Sequence, residues 1–197
     1  MHKNGFLLSL ILISISCNNY SALKERDDIK IRTASPDQPL GDLIRDLDLD
    51  VKDISILIDK SEYTLQLVAD SITIKTYPVV FGSNPIDDKR KEGDKCTPEG
   101  TFTIRDLYPH EKWSKFLWVD YPNEESWKKH NASKANGEID KDATIGGEIG
   151  IHGVPNNDES LIDEKINWTL GCISLKNKHI DEIYNFVSKG TLIKIQK

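Results

Sequence analysis

The stretch Thr169-Leu170-Gly171-Cys172-Ile173-Ser174-Leu175 decides the fold, together with Ile151-His152-Gly153, which ends sixteen positions before it. A cysteine attacks as its thiolate, and a free thiol has a pKa of about 8.5. An imidazole within hydrogen-bond distance can take the thiol proton, so Cys172 and His152 form a candidate acyl-transfer pair. Gly171 allows a sharp turn that can direct main-chain N–H groups at an oxyanion. The alternative is that Cys172 is a buried structural cysteine.

The order His-Gly, a variable segment and then Thr-x-Gly-Cys-Ile resembles the L,D-transpeptidase catalytic domain family. Four further segments are similar to that family. They are the Gly-Asp-x-x-Thr-Pro-Glu-Gly segment within 93–102, and the shorter segments 120–123, 145–147 and 190–195. The resemblance runs from about Ile54 to the C-terminus. It is closest to the murein L,D-transpeptidase or lipoprotein-releasing subgroup of Gram-negative bacteria.

The resemblance implies a mainly β, sandwich or barrel-like fold and a set of catalytic roles. Cys172 would be the nucleophile, His152 the proton acceptor and donor, and the backbone carbonyl of Gly153 would orient the imidazole. The substrate would be a peptidoglycan stem peptide, whose acyl group passes through a thioester to an amine. Two alternatives stay open: a hydrolase that cuts peptidoglycan peptide or peptidoglycan–lipoprotein linkages, and a non-catalytic cell-wall binding module. No cofactor is implied.

Four further residues are predicted to contact the substrate: Thr169, Gly171, Ser174 and Tyr121. Many family members carry Arg where this chain has Ser174, and a hydroxyl cannot replace a bidentate guanidinium at a carboxylate. This departure puts the usual mode of substrate binding in doubt. Leu170 is a second departure, since many members have His there. The Thr169 hydroxyl can bond either the substrate or the backbone of the site.

Short alternating apolar runs predict a β-meander that begins at Ile54 and resumes at 100–104. Asn123 is predicted to cap a helix that runs through Lys134. Asn177 is predicted to cap a last helix that Gly190 ends.

The N-terminal residues predict export and a lipid anchor. The apolar run 6–16 is shorter than the roughly 20 residues that a membrane-spanning helix needs. We expect residues 1–16 to be a lipoprotein-type signal peptide, 17–50 a tether and 51–197 the catalytic domain. Cys17 would carry the lipid and make the only membrane contact, which places the protein in the cell envelope or periplasm. Cleavage without lipid, or an uncleaved anchor, are the alternatives.

The charge excludes one class of partner. The formal net charge is −6, and it becomes −7 without residues 1–16, because that segment contains one Lys and no acidic residue. Nucleic-acid binding depends on Lys and Arg contacts to phosphate, so an acidic chain argues against it. The sequence leaves the oligomeric state open.

The remaining cysteine and histidines are predicted to be structural. Cys96 is expected to be a partly buried small residue, and a bond to Cys172 is the less favoured alternative. His110, His130 and His179 lie in polar contexts and are expected at the surface. We predict no metal, because no His, Cys and carboxylate cluster has metal-ligand spacing.

Overall fold

The computed structural model describes residues 38–197, so the predicted signal peptide, the lipidation site at Cys17 and most of the tether lie outside the described residues. Helix α1 (Leu40–Asp46) comes first, and its apolar face is buried. The backbone N–H of Leu40 donates to Glu182 Oε1 at 2.6 Å. The compact unit begins at Pro39 rather than at residue 51. The last part of the predicted tether therefore packs on the domain, because apolar residues spaced three and four apart form one helix face.

Eight strands follow in chain order. Their bounds are β1 Ser55–Asp59, β2 Thr64–Ala69, β3 Ile72–Pro78, β4 Gly100–His110, β5 Ser114–Val119, β6 Gly150–His152, β7 Ile173–Ser174 and β8 Leu192–Gln196. They form one sheet in the order β3-β2-β1-β8-β4-β5-β6-β7. Two neighbouring pairs are parallel, β1 with β8 and β6 with β7, and the other pairs are antiparallel. The prediction of a mainly β, barrel-like fold with a few short helices is confirmed.

The core follows from alternation along the strands. In β1 and β2 every second residue is buried, which is the pattern of a sheet with one face on the core. Phe102 and Ile104 of β4 continue the same buried layer. The sheet therefore forms where period-two apolar patterning is clearest.

Three further α-helices lie between strands: α2 (Glu124–Ala135), α3 (Ser160–Asp163) and α4 (Asn177–Tyr184). The predicted cap of α2 is confirmed, because Asn123 Oδ1 accepts from the backbone N–H of Ser126 at 3.1 Å. The predicted cap of α4 is wrong. The N-cap position is Lys176, which makes no side-chain cap bond, and the helix ends at Tyr184, before Gly190.

Residues 153–172 connect β6 to β7, and we call their part 154–168 the flap. Val154 and Ile162 of the flap form a buried apolar cluster with Val80. The backbone N–H of Phe81 donates to Asn167 Oδ1 at 2.9 Å. These contacts fix the flap against the domain. Within residues 38–197, no helix is long and apolar enough to cross a membrane.

Candidate active site

The parallel pairing of β6 and β7 brings the two halves of the sequence pattern together. Ile151 pairs with Ile173 and His152 pairs with Ser174. His152 is the last residue of β6, and Cys172 immediately precedes β7. Parallel neighbours need a crossover connection, which explains why a variable segment separates the histidine from the cysteine in the sequence.

A short turn holds the nucleophile. The Thr169 hydroxyl donates to the carbonyl of Cys172 at 2.7 Å and accepts from the backbone N–H of Gly171 at 3.2 Å. Gly171 has a φ of +138°, and a Cβ there would lie 2.8 Å from the carbonyl oxygen of Cys96. Only glycine fits this position. Thr169 and Gly171, predicted to contact the substrate, therefore build the turn, and Thr169 also lines the cavity described below.

His152 is buried and held in one tautomer. Its Nδ1 lies 2.7 Å from the carbonyl oxygen of Gly153, the contact that the family resemblance implies. A carbonyl only accepts, so the proton is on Nδ1 and the lone pair of Nε2 is left to accept a proton. The ring stacks on Trp113 with centroids 4.4 Å apart. Burial lowers the pKa of His152 to about 4, so the imidazole is neutral at pH 7.

The thiol of Cys172 is protonated in the resting site. Its Sγ donates to the carbonyl of Glu148 at 3.4 Å. Burial raises the pKa of Cys172 to about 11, and a hydrogen bond from the Gly150 backbone opposes this increase only in part. The resting pair is thus a neutral thiol and a neutral imidazole rather than an ion pair.

Both side chains line one cavity of about 580 Å³. Its aromatic and aliphatic walls are Trp113, Ile149, Trp168 and Leu170, and its charged residues are Lys89, Glu92, Lys95 and Glu148. A larger groove of about 710 Å³ lies beside the flap and α4, and it is lined by neither His152 nor Cys172. The smaller cavity is the candidate active site because it contains the nucleophile and the base.

Two predicted substrate-binding residues are not at the cavity. Ser174 is fully buried, and its hydroxyl donates to the carbonyl of Gly153 at 3.3 Å, the group that also accepts from His152. Tyr121 is 3% exposed, and its hydroxyl donates to the carbonyl of Ile145 at 3.4 Å. Both predictions of substrate contact are corrected, because the fold turns these side chains into the protein interior.

His110 and His179, predicted at the surface, are partly buried, and His130 and Cys96 are buried. His130 is 1% exposed and its Nδ1 lies 2.6 Å from the carbonyl oxygen of Arg90, so the prediction of a surface position is wrong. Cys96 is a free thiol that is buried rather than partly buried, and it forms no disulfide with Cys172. In the part of the chain from residue 38 onward, no group of three His, Cys or carboxylate residues is placed to hold a metal ion.

Three residues of the site were not found from the sequence. Glu148 supplies the carbonyl that accepts a hydrogen bond from the Cys172 thiol, and it has a φ of +57°. Trp113 supports the imidazole from the turn between β4 and β5. Asn177 accepts from the backbone N–H of Val154, next to the base. Glu148 acts through its backbone, and Trp113 and Asn177 act through contacts with residues far away in the chain, so no local signal distinguished them.

Comparison with known proteins agrees with this geometry. The family model of the L,D-transpeptidase catalytic domain matches residues 53–195. The chain belongs to this family. A search of the curated proteins gave no match.

Solved structures share the fold. Bd1075 of Bdellovibrio bacteriovorus gives a TM-score of 0.54 at 19% identity, over 73% of this chain and 48% of that chain. Pgp2 of Campylobacter jejuni, a helical cell shape determining protein, gives a TM-score of 0.54 at 20% identity, over 73% of this chain and 47% of that chain. L,D-transpeptidase 3 of Mycobacterium tuberculosis, in complex with a faropenem-derived adduct, gives a TM-score of 0.50 at 12% identity, over 74% of this chain and 60% of that chain. The chain spans about half the length of the first two proteins.

Proposed function

We propose that this protein is a cysteine-dependent acyltransferase that acts on peptidoglycan stem peptides. The observation that carries the proposal is that Cys172 and His152 line one cavity, with Nδ1 of His152 held by the Gly153 carbonyl. That arrangement leaves Nε2 to take the thiol proton. Membership of the L,D-transpeptidase catalytic domain family supports the substrate class.

The neutral resting pair requires that proton transfer accompany attack. Cys172 Sγ would leave the Glu148 carbonyl, pass its proton to Nε2 of His152 and bond to the substrate carbonyl carbon. The Gly171 N–H is occupied by Thr169, so we assign the backbone N–H of Cys172 as a donor to the oxyanion. The imidazolium then protonates the leaving amine as the tetrahedral intermediate collapses to a thioester.

The second half-reaction regenerates the thiol. An acceptor amine attacks the thioester carbonyl, His152 takes the amine proton, and the departing sulfur recovers it. The product is a cross-linked peptide or an anchored protein. The surrounding apolar walls, including Trp113 and Trp168, restrict water around the thioester and favour the amine.

Hydrolysis is the second candidate, and the burial of Ser174 favours it. With Ser174 in the interior, the position where many members carry Arg supplies no cation to a substrate carboxylate. A water acceptor needs no such anchor. On this alternative the enzyme cuts peptidoglycan peptides, or links between peptidoglycan and a lipoprotein, through the same thioester.

Mass spectrometry of the products from purified muropeptides tests both candidates. New dimers indicate transfer, and shortened or released peptides indicate hydrolysis. Cys172→Ala should abolish either reaction, whereas Cys96→Ala, at the other free thiol within residues 38–197, should retain it. Equal turnover by Cys172→Ala and the unmodified protein would reject the mechanism, and binding without any product would favour a cell-wall binding module.

We further propose that the protein is a lipoprotein of the cell envelope, anchored through Cys17. The apolar run that ends just before this cysteine supports the proposal. The mass of the mature protein extracted from membranes tests it. A diacylated or triacylated Cys17 at the N-terminus is the expected result, and an unmodified chain that begins elsewhere would reject it.

A further inference from the structure

We propose that Asn177 is a positioning residue for His152. Its side chain holds the peptide unit between Gly153 and Val154, and this unit presents the carbonyl that orients the imidazole. The inference rests on the proposed roles of Cys172 and His152, and it assigns a task to a residue that the sequence predicted only as a helix cap.

The planarity of one peptide unit links Asn177 to the imidazole. Asn177 Oδ1 accepts from the backbone N–H of Val154 at 2.9 Å. The carbonyl of Gly153 belongs to the same peptide unit, and it lies 2.7 Å from Nδ1 of His152. In a trans peptide the N–H and the C=O point in opposite directions within one plane. A bond that fixes the Val154 N–H therefore also fixes the direction of the Gly153 carbonyl.

The neighbouring contacts leave this peptide unit little freedom. The backbone N–H of Gly153 donates to the carbonyl of Trp113 at 2.9 Å. A Cβ on Gly153 would lie 2.0 Å from Asn177 Oδ1 and 2.6 Å from the Trp113 carbonyl oxygen, so the space is filled. The Ser174 hydroxyl also donates to the Gly153 carbonyl. Asn177, on α4, is the side chain that holds the N–H end of this peptide unit.

Asn177 also connects the base to the flap. Its Nδ2 donates to the side-chain oxygen of Asn157, where the flap has just left β6. The Asn177 carboxamide thus accepts a hydrogen bond from the peptide unit that orients His152, and it donates one to the flap. Movement of the flap would be transmitted to the Gly153 carbonyl through this side chain.

The pH dependence of Cys172 acylation by p-nitrophenyl acetate tests the inference without the natural substrate. The ester transfers its acetyl group to Sγ, p-nitrophenolate leaves, and His152 takes the thiol proton. With the base in place, the rate should reach a plateau above the pKa of His152. With the imidazole misdirected, the rate should follow thiol ionisation and rise through the alkaline range without a neutral plateau.

Three substitutions on α4 and its cap separate positioning from folding. Asn177→Ala should lower the acylation rate at pH 7 about tenfold or more and remove the plateau, because misplacing a catalytic group is costly. Asn177→Asp keeps an acceptor for the Val154 N–H and should retain the plateau. Asn185→Ala, at an exposed asparagine on the C-terminal side of the same helix, should match the unmodified protein.

The outcomes discriminate between the inference and the proposed function. A plateau at the unmodified rate in Asn177→Ala overturns the inference, and so does its loss in a folded Asn177→Asp. If Asn177→Ala does not fold, Asn177→Leu, which has a similar volume and no acceptor for the Val154 N–H, takes its place in the comparison. His152→Ala tests the proposed function separately, because a plateau that survives that substitution would show that His152 is not the base.

Discussion

Acidification should destabilise this protein through His152, and the size of the effect can be worked out from the structure. The buried imidazole has its pKa lowered to about 4, whereas an unfolded histidine titrates near 6.5. Between these values the unfolded chain binds a proton that the folded chain does not. The free energy of unfolding must therefore fall as the pH drops below about 6.5, until it levels off near pH 4.

Each pKa unit corresponds to about 1.4 kcal/mol, so the full window is worth about 3 kcal/mol. Between pH 7 and pH 4.5 we expect a loss of about 2 to 3 kcal/mol from this one group. Native domains have a free energy of unfolding of about 5–15 kcal/mol, so this loss is a considerable part of the total.

Urea denaturation at the two pH values, followed by tryptophan fluorescence, measures the effect in the unmodified protein and in His152→Gln. Burial also lowers the pKa of His179. His179 and the carboxylates titrate in both proteins, so their contributions to the pH dependence of stability cancel in the comparison. The glutamine variant should lose less stability on acidification, by about 2 to 3 kcal/mol. The loss of ring stacking in the glutamine variant lowers the free energy of unfolding by the same amount at both pH values. The same pH dependence in both proteins would refute the argument that His152 is held neutral.

Two further predictions concern the backbone and a buried charge. Gly82→Ala should lower the free energy of unfolding by about 2 kcal/mol or more, because its Cβ would lie 2.0 Å from the carbonyl oxygen of Lys95. Gly147→Ala, with nothing within 4 Å of the added Cβ, should leave the urea midpoint nearly unchanged, and equal shifts in both would contradict the packing argument. Lys60→Met should cost about 3 kcal/mol by thermal or urea unfolding, because the Lys60 ammonium is buried 2.7 Å from Glu99 Oε1 and its loss leaves the carboxylate unpaired. A neutral result would mean that the partly exposed Glu99 is solvated without its partner.

The strands and the nucleophile could be predicted because their signals are local. Apolar alternation from Ile54 onward needs only neighbouring residues, and it produced the first strands of the sheet. The capping asparagine at position 123 likewise acts within one helical turn. His152 and Cys172 were recognised from short motifs, and the fold then placed both at one cavity.

Other residues were misassigned because their side-chain direction depends on distant partners. Ser174 was expected to meet the substrate, but its pairing opposite His152 across β6 and β7 directs the hydroxyl to the Gly153 carbonyl. His130 lies in a polar sequence, yet it is buried against the backbone of Arg90, forty residues away.

The amino-acid sequence by itself determined which chemical groups this protein brings to its site and which segments become strands, because residue type and short-range periodicity carry that information. The tertiary structure alone decided how those groups are used. It set the protonation of the imidazole by burying it and that of the thiol by partly removing it from water, and it turned Asn177 toward the peptide unit behind His152. Burial and hydrogen-bond direction arise from contacts between residues far apart in the chain, so they exist only once the sheet has formed.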